Sequence, residues 1–313
     1  MIAKKTKKRV LVVLGGKSRE RKVSIESGKA CFNAIKKIGH KVKIFDSGKK
    51  HLNLINKGEV DIIFNALHGT EGEDGLAQSY FEYLRIPYTH SGVISSMNAM
   101  DKVISKKIFI QNKVLTPKFF VLKKEIFSIK ILKKKISVLK LKFPIVVKPV
   151  SEGSSIGVEI IKNLNSLYIK TKFLFKTYDE LIFEDFIGGQ EIQVAILNGR
   201  ALGAIELKPK RKFYDYKAKY SKSAMTNHIM PAGIKRDQYN KVLKIAKKVH
   251  KIFNCRGVTR SDFKFFKGKF YLLEINTQPG MTSLSLVPEI ANFKNISFNK
   301  LVDEILKDAS INK

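Results

Sequence analysis

Apolar residues come in short runs separated by turn residues over the first third of the chain. Lys8 to Leu14 is nearly continuous in apolar residues and closes at Gly15-Gly16, the pattern of a strand buried on both faces. From Val23 to Lys37 the apolar positions recur at helical spacing, and Gly39 supplies the stop. Lys41 to Phe45 and Asp61 to Ala66 are further strand-length runs with helical segments between them. This alternation predicts βαβ units and a parallel sheet over about the first hundred residues.

The texture changes after Met100. Phe119 to Leu122 reads as a strand, and Ile129, Leu132, Ile136 and Leu139 mark one face of a lysine-rich helix. Strand-like Pro144 to Pro149 leads into a loop of small residues, Ser151 to Gly157. Ile192 to Leu197 and Arg200 to Leu207 follow as strands, then a long polar stretch from Lys208 to Ala232 that interrupts regular structure. A helix from Asp237 to Phe253 and a hairpin from Gly257 to Asn276 come before the terminal segments. The expected fold class is α/β plus α+β, with no internal repeat and no flexible linker.

Composition narrows the function classes. A hydrophobic share of 44% and a charged share of 28% fit a globular chain rather than a disordered or fibrous one. The longest apolar runs are strand-length, so no membrane span is expected, and the basic N-terminus lacks the apolar core of a signal peptide. A cytoplasmic location follows as an expectation. Cys31 and Cys255 are far apart and form no CxxC or Cys/His cluster, which argues against a disulfide framework or a zinc site. The net charge of +33 invites a nucleic-acid reading, but lysines are spread through every segment without a binding signature, so no specific nucleic-acid partner is expected.

Gly15-Gly16-Lys17-Ser18 resembles the end of a Walker A loop, but Leu11 stands where that loop needs its first glycine. Nearby Glu20 fits a helix-start acid favoured by the helix dipole as well as a functional group. Lys148 ends an apolar strand, and the loop after it contains Gly153, Gly157, Ser151, Ser154 and Ser155. Small residues let backbone N–H groups approach an anion, although an ordinary hairpin turn remains the alternative.

The hairpin carries the sharper signal. Phe263, Phe265, Tyr271, Leu273 and Ile275 share one parity and predict a core face, whereas Arg260, Asp262, Glu274 and Asn276 share the other. Carboxylate and amide oxygens gathered on one face suit a hard cation carrying phosphates, and a solvated edge gives the same alternation. Keeping both acids on one face predicts a three-residue connection, Phe266-Lys267-Gly268, which pairs Arg260 with Glu274 and Asp262 with Leu272.

Taken in order, GGKSRERKVS (15–24), ALHGTEGEDG (66–75), MDK (100–102), VVKPVSEGSSIG (146–157), FYDYKAKY (213–220), RSDF (260–263) and LLEINTQPGMTSLSLVP (272–288) resemble the D-alanine-D-alanine ligases of the ATP-grasp superfamily. The resemblance spans nearly the whole chain. It implies a Rossmann-like, pre-ATP-grasp substrate-binding domain at 1–99, a small central ATP-grasp domain at 100–185, and a C-terminal ATP-grasp domain at 186–313. Lys102 and Lys148 match lysines that contact nucleotide phosphates, and Glu152, Gly153, Ser154 and Ser155 belong to the loop that closes over them. Glu184 and Glu191 match acids at the adenine and ribose ends. Asp262, Glu274 and Asn276 match ligands of two magnesium ions, with manganese as the alternative metal.

On the substrate side, the resemblance assigns the first D-alanine's ammonium to Glu20, which forms a hydrogen-bonded set with Ser154 and Tyr220. His68 lies near that substrate, Arg260 stabilises oxyanion charge, Lys219 faces the transferred phosphate, and Ser285 with Leu286 binds the second D-alanine's carboxylate. Asp185-Phe186 departs from the lysine-aromatic pair that many members carry at the adenine, and Gln278 is a variant position of the NTQPG turn. The implied activity is ATP-dependent formation of D-alanyl-D-alanine through a D-alanyl phosphate, for peptidoglycan synthesis and hence cell shape, by a homodimer. The rival readings are a D-alanine-D-lactate or other ATP-grasp ligase, which Tyr220 argues against, and a basic nucleic-acid binder without catalysis.

Overall fold

The computed structural model describes residues 7–208 and 226–311. Strand β1 (Arg9–Leu14) lies between β2 (Lys41–Asp46) and β3 (Ile62–Asn65), parallel to both, as the N-terminal pattern requires. Helix α1 (Arg21–Ile38) makes the crossover and ends at Gly39, whose φ of 100° is the left-handed cap. Alternate side chains of β1 serve two cores. Val10, Val12 and Leu14 face Ala34 and Ile35 of α1, while Leu11 and Val13 face Phe81 of α2 (Leu76–Leu84) and Tyr88. Gly28 of α1 permits this closeness, because a Cβ there would stand 2.6 Å from the Leu14 side chain.

Helices α3 (Val93–Met100) and α4 (Lys102–Gln111) follow, the latter capped by Asp101, which accepts from the Val103 and Ile104 N–H groups at 2.8 Å each. Ala99 and Phe109 pack into the core of a sheet formed much later in the chain. Between them and that sheet the chain builds a four-stranded antiparallel unit, ordered β4 (Phe119–Lys123), β7 (Glu180–Asp185), β5 (Ile145–Pro149), β6 (Glu159–Ile161). Helices α5 (Ile129–Leu139) and α6 (Leu164–Leu174) contribute to its core. Of the face expected on α5, Leu132 is fully buried, Ile136 and Leu139 are partly buried, and Ile129 stays exposed in the first turn.

The remaining strands form an antiparallel sheet ordered β10 (Asn227–Ile229), β9 (Arg200–Lys208), β8 (Gln190–Leu197), β11 (Val258–Phe266), β12 (Lys269–Asn276). Strand β10 is regular structure inside the stretch expected to lack it. One face of the sheet packs on α7 (Arg236–Ile252) through Val194, Ala204, Phe263 and Leu272. The other shares a core with the N-terminal sheet. Val12 and Ile35 meet Ala195, Ile205, and Ile290 and Ile305 of α8 (Leu286–Phe293) and α9 (Phe298–Lys307). Each such buried aliphatic side chain contributes roughly 1.5–3 kcal/mol. No helix among the described residues is long and apolar enough to cross a membrane.

The hairpin corrects one expectation and reaches the same result by another device. Its connection has two residues, Lys267 and Gly268, with Phe266 paired to Lys269. Both turn residues have positive φ, 48° and 74°, which gives a turn whose twist matches the flanking strands. That register runs as far as Phe263 opposite Leu272 and then shifts. Leu273 is the extra residue of a β-bulge, after which Asp262 pairs with Glu274, Ser261 with Ile275 and Arg260 with Asn276. Phe270 and Leu272 therefore occupy the core, in place of the expected Tyr271 and Leu273. Without the bulge, the register would turn Glu274 toward α7.

Nothing lies within 4 Å of a Cβ placed on Gly268, so its substitution costs only the backbone conformation. Gly268→Val should lower stability by about 1–2 kcal/mol. Lys267→Asn should raise it by a few tenths, because asparagine tolerates positive φ. Urea midpoints will show both shifts with unchanged slope, and opposite signs would contradict this account of the turn.

Candidate functional site

Two adjoining cavities lie where the three sheets meet. The first, about 820 Å³ of open space, runs between the four-stranded and five-stranded sheets and is walled by Lys102, Lys148, Glu184, Glu191, Asp262 and Glu274 among others. The second, about 680 Å³, opens toward the N-terminal sheet and is walled by Glu20, His68, Ser154, Arg260, Glu274 and Asn276 among others. Lys102, Glu152 and Glu274 belong to both walls. Glu152 and Ser155 also line the first cavity and Gly153 the second. A ligand spanning the two would pass between a cationic floor and an acidic hairpin.

Lysines make that floor. Lys148 is the penultimate residue of β5, and its ammonium contacts the Glu184 carboxylate from the neighbouring strand β7. Lys106, one turn beyond Lys102 on α4, is wholly buried and reaches the same carboxylate at 2.8 Å and Thr116 Oγ1 at 2.7 Å. Burial alone would raise the Glu184 carboxyl, but the two ammonium groups hold it down to about 2. The Glu184 charge thus stabilises the fold above its ordinary pKa near 4.5, and that contribution fades as pH falls toward 2. Burial pushes Lys102 and Lys106 down to about 8, against the opposing pull of Glu274 and Glu184 respectively. Lys106 is not singled out by the sequence, where nothing sets it apart from the other lysines.

The Ser151 to Gly157 loop does join an antiparallel pair, β5 and β6, so the hairpin reading of it also holds. Its interior is unusual for a turn. Ser154 and Ser155 have φ of 49° and 60°, and the Ser154 hydroxyl donates to the Glu20 carboxylate. Glu20 occupies the N-cap of α1, yet its side chain makes no capping bond. The position is the one the helix-dipole reading requires, and the carboxylate also meets the loop. A Cβ on Gly153 would lie 2.6 Å from Glu20 Oε2, so a larger residue there would push the carboxylate from its present position. Lys102 anchors the loop from below, donating to the carbonyls of Val150, at 3.4 Å, and Glu152.

On the hairpin, Asp262 and Glu274 face each other across the bulge, and Arg260 forks onto Asp262 with bonds of 2.7 and 2.9 Å. Asn276 stands opposite Arg260 and accepts from the Gln278 N–H at 2.8 Å. Lys264 pairs with Glu191 at 2.9 Å on the wall of the first cavity. No cluster of three or more His, Cys, Asp or Glu residues suited to a metal occurs among the described residues. The oxygen donors available are two carboxylates and the Asn276 amide, a set that suits magnesium rather than zinc.

At the other end, His68 is held between Glu73, 2.8 Å from Nδ1, and the Ser27 hydroxyl, 3.2 Å from Nε2. Neither neighbour was singled out from sequence. Ser285 and Leu286 stand at the start of α8, behind Gly280 of the cavity wall. The Ser285 hydroxyl bonds within its own turn to the Thr282 N–H at 3.0 Å, and the Leu286 side chain lies in the shared core. Only the Leu286 backbone N–H therefore remains as a donor from that residue. Lys219 and Tyr220 lie outside the described residues.

The chain is similar to proteins of one family. A family model described as D-ala D-ala ligase C-terminus matches residues 109–307, and one described as D-ala D-ala ligase N-terminus matches residues 45–91. A D-alanine-D-alanine ligase of Pelagibacter ubique is 54% identical over 309 residues, covering 98% of this chain and 99% of that one. One from Rickettsia bellii is 42% identical, covering 99% and 94%. A Bacillus anthracis D-alanine-D-alanine ligase complexed with ATP superposes with a TM-score of 0.81 at 32% identity, covering 97% of both chains.

Because Lys102 and Lys106 lose protons near pH 8, affinity for a polyphosphate in the first cavity should hold steady up to about pH 7 and fall as pH rises through 8. Folding stability should move the other way. The unfolded chain binds more protons at these lysines between 8 and 10.5, so their burial penalty relaxes across that window. Calorimetric titration with ATP from pH 6.5 to 9.5 measures the first effect, and a flat profile would contradict it.

Proposed function

The chain belongs to the D-alanine-D-alanine ligase family, and from that premise we infer how its residues divide the ATP-dependent joining of two D-alanines. The observation that carries the reading is the wall shared by the two cavities, which sets a lysine-lined cleft directly against a pocket built around Glu20. A carboxylate resists attack by an amine because oxide is a poor leaving group. Transfer of the γ-phosphoryl group of ATP to the first D-alanine's carboxylate gives D-alanyl phosphate and ADP. The second D-alanine's amine attacks that carbonyl carbon, phosphate leaves, and the amine's surplus proton is released.

Glu20 receives the ammonium of the first D-alanine, and Ser154 carries the phosphate loop onto it. His68, kept in place by Glu73 and Ser27, borders the same pocket. Lys102 and Lys148 hold the phosphates, Lys148 from its contact with Glu184. Glu184 thus acts through a lysine, while Glu191 lies at the nucleotide end. Asp262, Glu274 and Asn276 would hold magnesium, or manganese, which when bound neutralises phosphate charge. Arg260 donates to the oxyanion that develops on the attacked carbonyl. Lys219 faces the phosphate, Tyr220 completes the set with Ser154 and Glu20, and Ser285 with Leu286, the latter through its backbone N–H, receives the second carboxylate.

The three units at 1–99, 100–185 and 186–313, a homodimeric state and a cytoplasmic location for peptidoglycan precursor synthesis complete this reading. Packing of α4 with the five-stranded sheet makes that helix the link between the last two units.

A coupled assay should detect ADP release that requires D-alanine and a divalent cation, with D-alanyl-D-alanine identified by mass. L-alanine and D-lactate should not replace D-alanine. Asp262→Asn and Glu274→Gln should each reduce turnover by about a hundredfold or more, since each removes a negative charge from a divalent site. Wild-type rates in both variants would reduce the hairpin to a structural element.

A further inference from the structure

We propose that Gln278 is a positioning residue that registers the loop carrying His68 against the strand end carrying Asn276. The inference rests on the roles assigned above. Gln278 is buried and belongs to neither cavity wall. Both ends of its side-chain amide are engaged. Asn65 Nδ2 donates to Oε1 at 2.8 Å, and Nε2 donates to the Leu67 carbonyl. Its backbone N–H donates to Asn276 Oδ1 at 2.8 Å.

The chain of amides continues into the substrate loop. Asn65, the last residue of β3, also donates to the Gly72 carbonyl at 3.3 Å and accepts from the Leu67 N–H at 3.2 Å. Gln78 donates to the same Gly72 carbonyl at 2.7 Å. Asn276 is thereby connected through Gln278 and Asn65 to both ends of the turn that presents His68 and Glu73. A second tie lies alongside, where the Met281 N–H donates at 3.1 Å to the Ser27 hydroxyl that also meets His68.

The residue type follows from the neighbours. Leu67 presents a carbonyl and Asn65 an amide N–H, so a buried side chain here must both donate and accept. Leucine would leave the Leu67 carbonyl without this donor and Asn65 Nδ2 with the Gly72 carbonyl alone, and glutamate would set a carboxylate against a carbonyl. The walls of the second cavity come from both sides of this joint, Glu20 and His68 from one and Arg260 and Asn276 from the other. The separation between the first amino acid and the phosphoryl group therefore depends on the Gln278 amide. Reacting atoms displaced by about 1 Å lose rate on the order of a hundredfold.

The full-length Gln278→Leu variant should show a D-alanine KM for the first site raised about tenfold and kcat reduced about tenfold. ATP affinity should change by less than about twofold, because neither partner of the Gln278 side chain walls the first cavity. Amide hydrogen exchange should speed up together in residues 66–72 and 276–278 and stay unchanged in α7. Gln278→Glu keeps the acceptor for Asn65 but sets a carboxylate against the Leu67 carbonyl, and should show changes in the same direction. Native kinetics and exchange in both variants would overturn the proposal. So would a parallel loss of ATP affinity, D-alanine affinity and unfolding temperature, which indicates general destabilisation. If the native chain forms no dipeptide, the role assignment fails, and the exchange data alone decide whether the two segments are coupled.

Discussion

Glu184 is shut off from water, and its carboxylate meets the ammonium groups of Lys106 from α4 and Lys148 from β5. Removing three charges from solvent costs several kcal/mol per ion, recovered only where the geometry is tight and the remaining donors are satisfied. Thr116 takes up part of that demand by accepting from Lys106. Because α4 packs with the five-stranded sheet and β5 and β7 belong to the four-stranded one, the triad also joins the two sheets beneath the cleft. An apolar filling would hold the sheets together at lower electrostatic cost. It would not present a cation to the cavity with a fixed counter-charge behind it.

Much of this was legible in the sequence because burial writes a period into the chain. The run at β1, the helix stopped by Gly39 and the strand ending at Pro149 all follow from apolar runs or helical spacing. The hairpin shows the limit. Parity was right for β11 and for β12 beyond Leu273 but wrong between the turn and Leu273, because one inserted residue shifts the phase and composition does not mark which residue of a strand is extra. The same bulge explains why Tyr271 and Leu273 were misplaced while Asp262 and Glu274 were correctly put together.

Site residues of a different kind escaped notice. Glu20, Lys148 and Asp262 sit in recognisable local patterns, whereas Lys106, Ser27, Glu73 and Asn65 matter through partners that folding alone brings near. A buried lysine looks like any other lysine in a chain with a net charge of +33. Its distinction is a carboxylate far along the chain, and one sequence contains no measure of that distance.

The core common to the first and last parts of the chain has a consequence for biosynthesis. Val12, Leu14 and Ile35 find partners in Ile305 and Leu306 of α9, and Tyr88 pairs with Ser310 through backbone bonds of 3.3 and 3.2 Å. During translation the N-terminal sheet emerges first but stays open on that face until the final helix has left the ribosome. Contacts of such long sequence separation slow folding and leave apolar surface exposed meanwhile. The four-stranded unit has its own core of neighbouring segments and can close earlier. A nascent chain of this protein would thus complete its middle before its beginning, and a ribosome stalled before α9 would hold a folded centre flanked by an unfinished start.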